Sequence, residues 1–201
     1  VEGWLRERGL ETGRRPLMGL VPAGGVSWGV GAPFRRWSAE GFAAVGDRLA
    51  ARYGAQVLLF GESADGPVCA AVAKRMTRPA VDVSGQTTLG RFIGLLKRVS
   101  LVVCNDGGPL HLAVSQRTKT VSIFGPVDPR VYGPYPPDPG RHQVVLRAEM
   151  LCRPCYHGFK LPPCPYERAC LTGIEPDEVI RACEQLLQAR DEPAEAAVRR
   201  G

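Results

Sequence analysis

The chain has 201 residues, of which 44% are hydrophobic, so it can bury the core of one domain or slightly more. No apolar run reaches the length of a membrane span, and no secretory leader is recognisable, so nothing in the sequence signals a membrane span or secretion. The formal net charge of +6 suits an anionic ligand or membrane surface, although scattered arginines can also form a solvated face. No nucleic-acid-binding motif is present, so we expect no nucleic-acid partner.

Strand and helix patterns alternate along the chain. Residues 1–15 are mostly polar and predict a short lead-in helix; the first residue, Val1, leads us to expect a fragment or processed product. Alternation of this kind is typical of the α/β class, a Rossmann-like doubly wound parallel sheet with right-handed crossovers. Strands are predicted at 16–21, 56–60, 81–83, 101–104, 120–124 and 143–146, and helices from 38, 67, 88, 109 and 176 onward.

A glycine-rich loop over residues 22–36 follows the first predicted strand. Glycine lets the backbone approach a ligand closely, and hydroxyl and guanidinium groups suit phosphate. The spacing fits neither a Walker loop nor G-x-G-x-x-G, so the loop alone is a weak indication of a binding site. The residues that could serve a ligand are Gly24, Gly25, Ser27, Arg35 and Arg36.

The segment after the strand at 101–104 combines turn formers with a helix start. Asp106, Gly107 and Gly108 precede a helix whose first turn contains His111, and Asp128 follows the next strand. Strand ends and a helix N-terminus at one sheet edge favour an anionic or hydroxyl-rich ligand. A generic turn with a capping residue, and a structural histidine, explain the same residues equally well.

Two carboxylates follow the strand at 56–60. Glu62 or Asp65 could hold ribose hydroxyls, as a carboxylate does in dinucleotide-binding folds. Helix capping by Asp65 is an equally good explanation.

Four cysteines, Cys152, Cys155, Cys164 and Cys170, have the spacing C-x2-C-x8-C-x5-C in a proline-rich segment. Four thiolates could complete a closed structural zinc site. Two disulfides or free thiols are the alternatives, and we favour the metal. The remaining cysteines are scattered and are predicted to lie in the core.

The segment NDGGPLHLA at 105–113, together with FGPVDP at 124–129 and GP at 133–134, resembles the signature of glycosyltransferase family nine, the ADP-heptose:lipopolysaccharide heptosyltransferases. The family commonly has Ser or Thr where this chain has Gly107. The resemblance covers roughly residues 16–190 and implies the C-terminal, donor-binding half of a GT-B enzyme, with the cysteine-rich segment at 152–170, a charged tail at 191–201 and a missing N-terminal domain.

The resemblance also implies a reaction, the inverting transfer of a heptose or related sugar from an ADP-heptose-like donor to a lipid-linked saccharide acceptor of the lipopolysaccharide core type. It implies that Arg35 faces the donor's phosphates, with the diphosphate between it and Asp106. Asp106 would hold sugar hydroxyls, His111 would support that loop or the phosphates, and Glu62 or Asp65 would meet the nucleoside.

The resemblance further implies that no catalytic residue lies in this chain, because the general base belongs to the missing domain. We therefore expect the chain alone to be inactive, with no cofactor for catalysis, and to be cytoplasmic, at the inner face of the membrane. A non-catalytic nucleotide-sugar or nucleotide-binding module is the main alternative. A zinc-containing interaction module is a further one.

Overall fold

The computed structural model of the chain describes residues 1–10, 13, 15–24, 29–158 and 160–189. Within these ranges six parallel strands form one sheet in the order β3-β2-β1-β4-β5-β6. The strands are β1 (Leu17–Val21), β2 (Gln56–Leu59), β3 (Ala80–Asp82), β4 (Leu101–Asn105), β5 (Thr120–Phe124) and β6 (His142–Leu146). The helices are α1 (Glu2–Arg6), α2 (Ala39–Tyr53), α3 (Gly66–Arg75), α4 (Leu89–Leu96), α5 (Gly108–Ser115), α6 (Pro129–Tyr132), α7 (Ala169–Thr172) and α8 (Pro176–Gln188), with 3₁₀ helices at Gly29–Arg35 and Ser63–Asp65.

The central strand β1 is the point at which the strand order reverses. Leu20 of β1 pairs with Leu59 of β2 on one side and with Val103 of β4 on the other. This order, with parallel pairing throughout, confirms the predicted Rossmann-like doubly wound fold. Ligands in such folds bind outside the carboxyl ends of the strands at the reversal point, which here lies between β1 and β4.

Helices cover both faces of the sheet, which explains why its central strands are buried along their whole length. Alternate side chains of β1 belong to different cores: Met18 and Leu20 pack with α2, α3 and α8, whereas Leu17 and Val21 pack with α1, α4 and α5. None of the described helices is both long enough and apolar enough to span a membrane.

Helix α2 begins where the sequence predicts a helix start. The Ser38 side chain accepts a hydrogen bond from the backbone N–H of Gly41 at 3.0 Å, which satisfies one of the free donors of the first turn. The ring of Trp37 packs edge-on against Phe42 and is buried. Ser38 therefore acts as the N-cap of α2.

Two predictions about irregular regions need correction. The lead-in helix is only Glu2–Arg6, because the backbone turns at Gly9, which has a φ of +68°, and brings Leu10 into the core. The segment before α2 is not a simple loop, since a 3₁₀ helix over Gly29–Arg35 brings its last residue inward. The predicted tail at 191–201 lies outside the described residues.

Candidate functional site

A cavity of about 490 Å³ lies at the carboxyl edge of the sheet, close to the reversal point. One wall comes from the ends of β1 and β2, and the others from the segment before α4 and the first turns of α4 and α5. Its volume and largely apolar walls suit a small-molecule ligand. The lining residues are Val21, Gly24, Phe60, Gly61, Glu62, Asp65, Thr87, Thr88, Leu89, Phe92, Gly108, Pro109 and Leu112.

The fully buried side chain of Asn105 holds three segments together at this edge. Its Oδ1 accepts from the backbone N–H of Trp37 at 2.9 Å, and its Nδ2 donates to the carbonyl of Pro22 at 2.7 Å. The end of β4 is thereby fixed to the segment after β1 and to the segment before α2. The prediction of a turn with a capping residue did not identify this role of Asn105; an amide at the end of a buried strand, which must find partners for its donors and acceptor, was the available signal.

Gly24 and Gly107 bring two of these segments into direct contact. A Cβ atom built on Gly107 would lie 2.4 Å from the carbonyl oxygen of Gly24, and Gly107 has a φ of +148°. Only glycine meets both conditions without strain. The difference from the Ser or Thr that the family commonly has at this position therefore has a local steric explanation in this chain.

Arg35 and Asp106 form a buried ion pair beside this contact. Nη1 of Arg35 donates to Oδ2 of Asp106 at 3.0 Å, and the two side chains are only 6% and 2% exposed. A diphosphate cannot lie between two groups that touch, so the structure corrects the expectation that Arg35 and Asp106 flank it. Arg35 instead fixes the position of the Asp106 carboxylate.

Burial raises the pKa of the Asp106 carboxyl to about 6, and the charge and hydrogen bond of Arg35 lower the pKa only in part. The other carboxylate oxygen, Oδ1, is also buried and makes no hydrogen bond with any described residue. A buried carboxylate oxygen without a donor is costly, and a ligand hydroxyl would satisfy it.

Arg36, rather than Arg35, faces the cavity edge. Its Nε donates to the carbonyl of Ala23 at 3.0 Å, and its Nη2 lies 3.7 Å from Oδ1 of Asp65. Because Gly24 and Asp65 both line the cavity, the Arg36 guanidinium stands beside it with 23% of its side chain exposed. Arg36 is therefore a cation available to an anionic ligand at this edge.

Glu62 and Asp65 form a reciprocal capping box, in which each side chain accepts from the other residue's backbone N–H, but the two side chains differ in exposure. Oδ2 of Asp65 accepts from the backbone N–H of Glu62 at 3.1 Å, as part of a capping box, and the Asp65 side chain is buried. Glu62 is exposed and lines the cavity. Of the two carboxylates, Glu62 is the one placed to meet a ligand.

The remaining residues that were predicted to lie at the site differ in their position relative to the cavity. Gly108 is the first residue of α5 and lines the cavity. His111 is exposed on α5, and its side chain makes no hydrogen bond to the part of the chain that the structure describes. Asp128 caps α6 by accepting from the backbone N–H of Arg130 at 2.9 Å. Ser27 lies outside the described residues.

The cysteine-rich segment lies next to the β5–α6 connection. No disulfide forms among the seven cysteines, and Cys69, Cys104 and Cys183 lie in the core as predicted. Burial raises the pKa of Cys155, and the nearby thiols of Cys152 and Cys164 raise it further.

The thiol of Cys170 is influenced by the same group of cysteines. Burial raises its pKa most, the charge of Arg153 opposes that effect, and the thiols of Cys152, Cys155 and Cys164 add to it. The four thiols are thus electrostatic neighbours. Even so, as they stand, no three His, Cys, Asp or Glu side chains in the described ranges are arranged to hold a metal ion.

Comparison with known proteins gives consistent matches. Residues 10–161 match the family model described as glycosyltransferase family 9 (heptosyltransferase). The chain is 26% identical over 184 residues to lipooligosaccharide heptosyltransferase 2 of Campylobacter jejuni, a match that covers 89% of this chain and 53% of that protein.

Solved structures agree with the sequence matches. The glycosyl transferase family 9 structure from Veillonella parvula superposes with a TM-score of 0.72 at 27% identity, over 92% of this chain and 49% of that one. ADP-heptose lps heptosyltransferase II from E. coli also gives 0.72, at 21% identity, over 92% and 50%. The chain therefore spans about half the length of these relatives.

Proposed function

The chain belongs to glycosyltransferase family 9, the heptosyltransferases, and from this we infer that it is the donor-binding half of an inverting enzyme that transfers a heptose or related sugar. In this proposal the donor is an ADP-sugar and the acceptor a lipid-linked saccharide of the lipopolysaccharide core type. The names of the relatives from C. jejuni and E. coli support both choices. The observation that carries the proposal is the cavity at the sheet's reversal point, with Glu62 at one end and the turn after Asp106 at the other.

The nucleoside of the donor would occupy the apolar part of the cavity. Phe60 and Phe92 pack edge to face there, with ring centroids 5.2 Å apart, and Leu89 and Leu112 add apolar surface. These walls suit the faces of a purine ring. The exposed carboxylate of Glu62 would accept hydrogen bonds from ribose hydroxyls.

The diphosphate would lie between Arg36 and the start of α5. Gly108 leaves the backbone open at the first helical position, where unpaired N–H groups and the helix dipole favour negative charge. The Arg36 guanidinium supplies a full positive charge from the opposite segment. Both groups would stabilise the charge that develops on the departing diphosphate, and the proposal invokes no catalytic metal.

The transferred sugar would contact Asp106. Arg35 engages one carboxylate oxygen, while the other is buried and makes no hydrogen bond to the described chain. A sugar hydroxyl that donates to Oδ1 would complete its hydrogen bonding. Arg35 acts through Asp106 in this proposal and is a positioning residue.

Deprotonation of the acceptor hydroxyl requires a general base. Because the chain spans about half the length of its relatives, we assign that base to the acceptor-binding half of the enzyme. The chain by itself would then bind donor without transferring sugar. A cytoplasmic enzyme working at the inner face of the membrane agrees with an ADP-sugar donor and a lipid-linked acceptor.

Calorimetric titration of the chain with ADP-heptose, a GDP-sugar and a UDP-sugar tests this function. We expect saturable binding of ADP-heptose, weaker binding of the other two, and no release of ADP when acceptor is added. Tighter binding of the GDP- or UDP-sugar would contradict the proposed donor. Sugar transfer by the chain alone would contradict the assignment of the general base to the acceptor-binding half of the enzyme.

A further inference from the structure

The short helix α7 and the residues on either side of it, 168–174, are anchored in the core that also contains α2 and α8. Leu171 and Ile174 are buried and pack in that core. Leu171 also lies directly on Gly125, where an added Cβ would lie 2.7 Å from its side chain. Close packing of this kind gives the segment a fixed position at the carboxyl edge of the sheet.

This anchored segment contacts the chain immediately after the two arginines of the site. The indole Nε1 of Trp37 donates to the carbonyl of Ile174 at 3.1 Å, and the Trp37 side chain is buried. The ring lies against Gly41, where an added Cβ would be 2.4 Å from its Cζ2 atom, so the first turn of α2 leaves space for it. A buried indole N–H needs an acceptor, and here the acceptor lies between α7 and α8.

The same segment contacts the chain just before the two arginines. Nη1 of Arg168 donates to the carbonyl of Pro33 at 3.0 Å. That carbonyl also accepts from the backbone N–H of Arg36 at 3.3 Å. Arg168 therefore stabilises the turn from which the Arg36 side chain extends.

Arg35 and Arg36 are thus held from both sides by one part of the structure. Their side chains have different targets: Arg35 is buried against Asp106, whereas Arg36 reaches the carbonyl of Ala23 and the cavity edge. Adjacent side chains keep such different directions only if the backbone between them does not rotate. The contacts at positions 33 and 37 restrict that rotation.

We propose that Trp37 and Arg168 are positioning residues of the donor site, and that together they hold Arg36 in the direction that meets the donor's phosphates. Neither side chain touches the donor in this proposal, because neither lines the cavity. Each acts through the backbone at 33–37. The inference rests on the proposed function in treating Arg36 as a phosphate contact, and it makes α7 and its neighbours part of the structure on which donor binding depends.

Amide hydrogen exchange tests the positioning role without any nucleotide. Trp37→Phe keeps an aromatic ring but removes the N–H donor, and Arg168→Ala removes the guanidinium. Both variants should speed exchange in the peptide that covers 33–38, which contains the hydrogen-bonded N–H groups of Arg36 and Trp37. Trp4→Phe, which makes the same substitution on α1, is the control and should exchange there as the parent does. Parent-like exchange of this peptide in either variant would remove that residue from the positioning role.

Calorimetry with ADP tests whether the two residues act through Arg36. Each variant should bind ADP roughly two- to tenfold more weakly than the parent, the effect of one hydrogen bond. In an Arg36→Ala background the same substitutions should weaken ADP no further. Parent-like ADP affinity of the single variants, or an undiminished loss in that background, would overturn the inference.

Two further outcomes keep the test decisive. If Trp37→Phe does not fold, Arg168→Ala, which changes a partly exposed side chain, completes both experiments. A parent chain that does not bind ADP would contradict the proposed function, and hydrogen exchange would still decide whether Trp37 and Arg168 hold the segment that carries Arg36.

Discussion

Arg35 and Asp106 are joined by a 3.0 Å hydrogen bond between Nη1 and Oδ2, inside a site from which solvent is almost excluded. The pair connects the end of the 3₁₀ helix to the turn after β4. It leaves Arg36 as the guanidinium at the cavity edge and leaves Oδ1 of Asp106 as an acceptor. The two neighbouring arginines should therefore respond differently to substitution.

Arg36→Ala should weaken ADP and ADP-heptose equally, because it removes a phosphate contact common to both ligands. Loss of one charged hydrogen bond costs about 1.5–3 kcal/mol, or roughly ten- to a hundred-fold in affinity. Calorimetry measures both affinities. Arg75→Ala, which removes an exposed arginine paired with Glu40, is the control and should bind both ligands normally. Unchanged ADP affinity in Arg36→Ala would remove Arg36 from the phosphate site.

Arg35→Ala should instead lower stability, because it leaves the Asp106 carboxyl buried without its partner. Breaking a buried ion pair typically costs about 3–5 kcal/mol, and protonation of Asp106 would reduce that cost. Urea denaturation measures the change in the free energy of unfolding. A loss no larger than that of Arg75→Ala would show that the pair does not stabilise the fold.

Gly107→Ser should destabilise the chain and weaken donor binding together. The new Cβ would approach the Gly24 carbonyl, and the positive φ of Gly107 disfavours any side chain; strained positions of this kind cost about 1–3 kcal/mol. Thermal unfolding checks the prediction. Gly108→Ala is the matched control, since a Cβ on Gly108 meets no atom within 4 Å. Equal stability of the two variants would refute the steric explanation.

Affinity for the intact donor should depend on pH through Asp106. Its pKa of about 6 means that the carboxyl is protonated in more acidic solution and becomes a better acceptor for sugar hydroxyls as the pH rises. Donor affinity should therefore increase up to a pH somewhat above 6 and then level off. Asp106→Asn should abolish this dependence. A parent chain whose donor affinity is constant across this range would contradict the assigned contact.

The same pKa shift has a consequence for stability, with the opposite trend. The pKa of Asp106 in the folded chain lies above that of an ordinary aspartate, so protonation of its carboxyl favours the folded state. The contribution of Asp106 to the free energy of unfolding is therefore fully present when the pH is below the pKa of an ordinary aspartate, and it is lost as the pH rises through about 6.

The sheet and most helices were predictable because their signals are local. Buried strands appear as short apolar runs, and the Ser38 cap acts within a few residues of its own position. The length of the first helix was not predictable in this way. It depends on the turn at Gly9 and on burial of Leu10 against distant residues.

The position of the cavity was predictable, but the pairing of the side chains around it was not. Parallel topology brings Glu62 and the Asp106 turn to one sheet edge, as expected. The 3₁₀ helix that ends at Arg35 determines which arginine is buried against Asp106 and which lies at the cavity edge. The role of Asn105 depends on partners far along the chain. Spacing alone could not show either arrangement.

The most direct test of the account compares Asp106→Asn with the parent chain in calorimetric titrations of ADP-heptose and ADP. Asparagine keeps the size of the side chain but loses the charge that pairs with Arg35, so the affinity for ADP, which lacks the sugar, serves as the reference for any general damage to the site. We predict that the variant binds ADP-heptose roughly ten- to a hundred-fold more weakly, the effect of one charged hydrogen bond, while its affinity for ADP changes little. Parent-like affinity of Asp106→Asn for ADP-heptose would contradict the claim that Asp106 holds the transferred sugar.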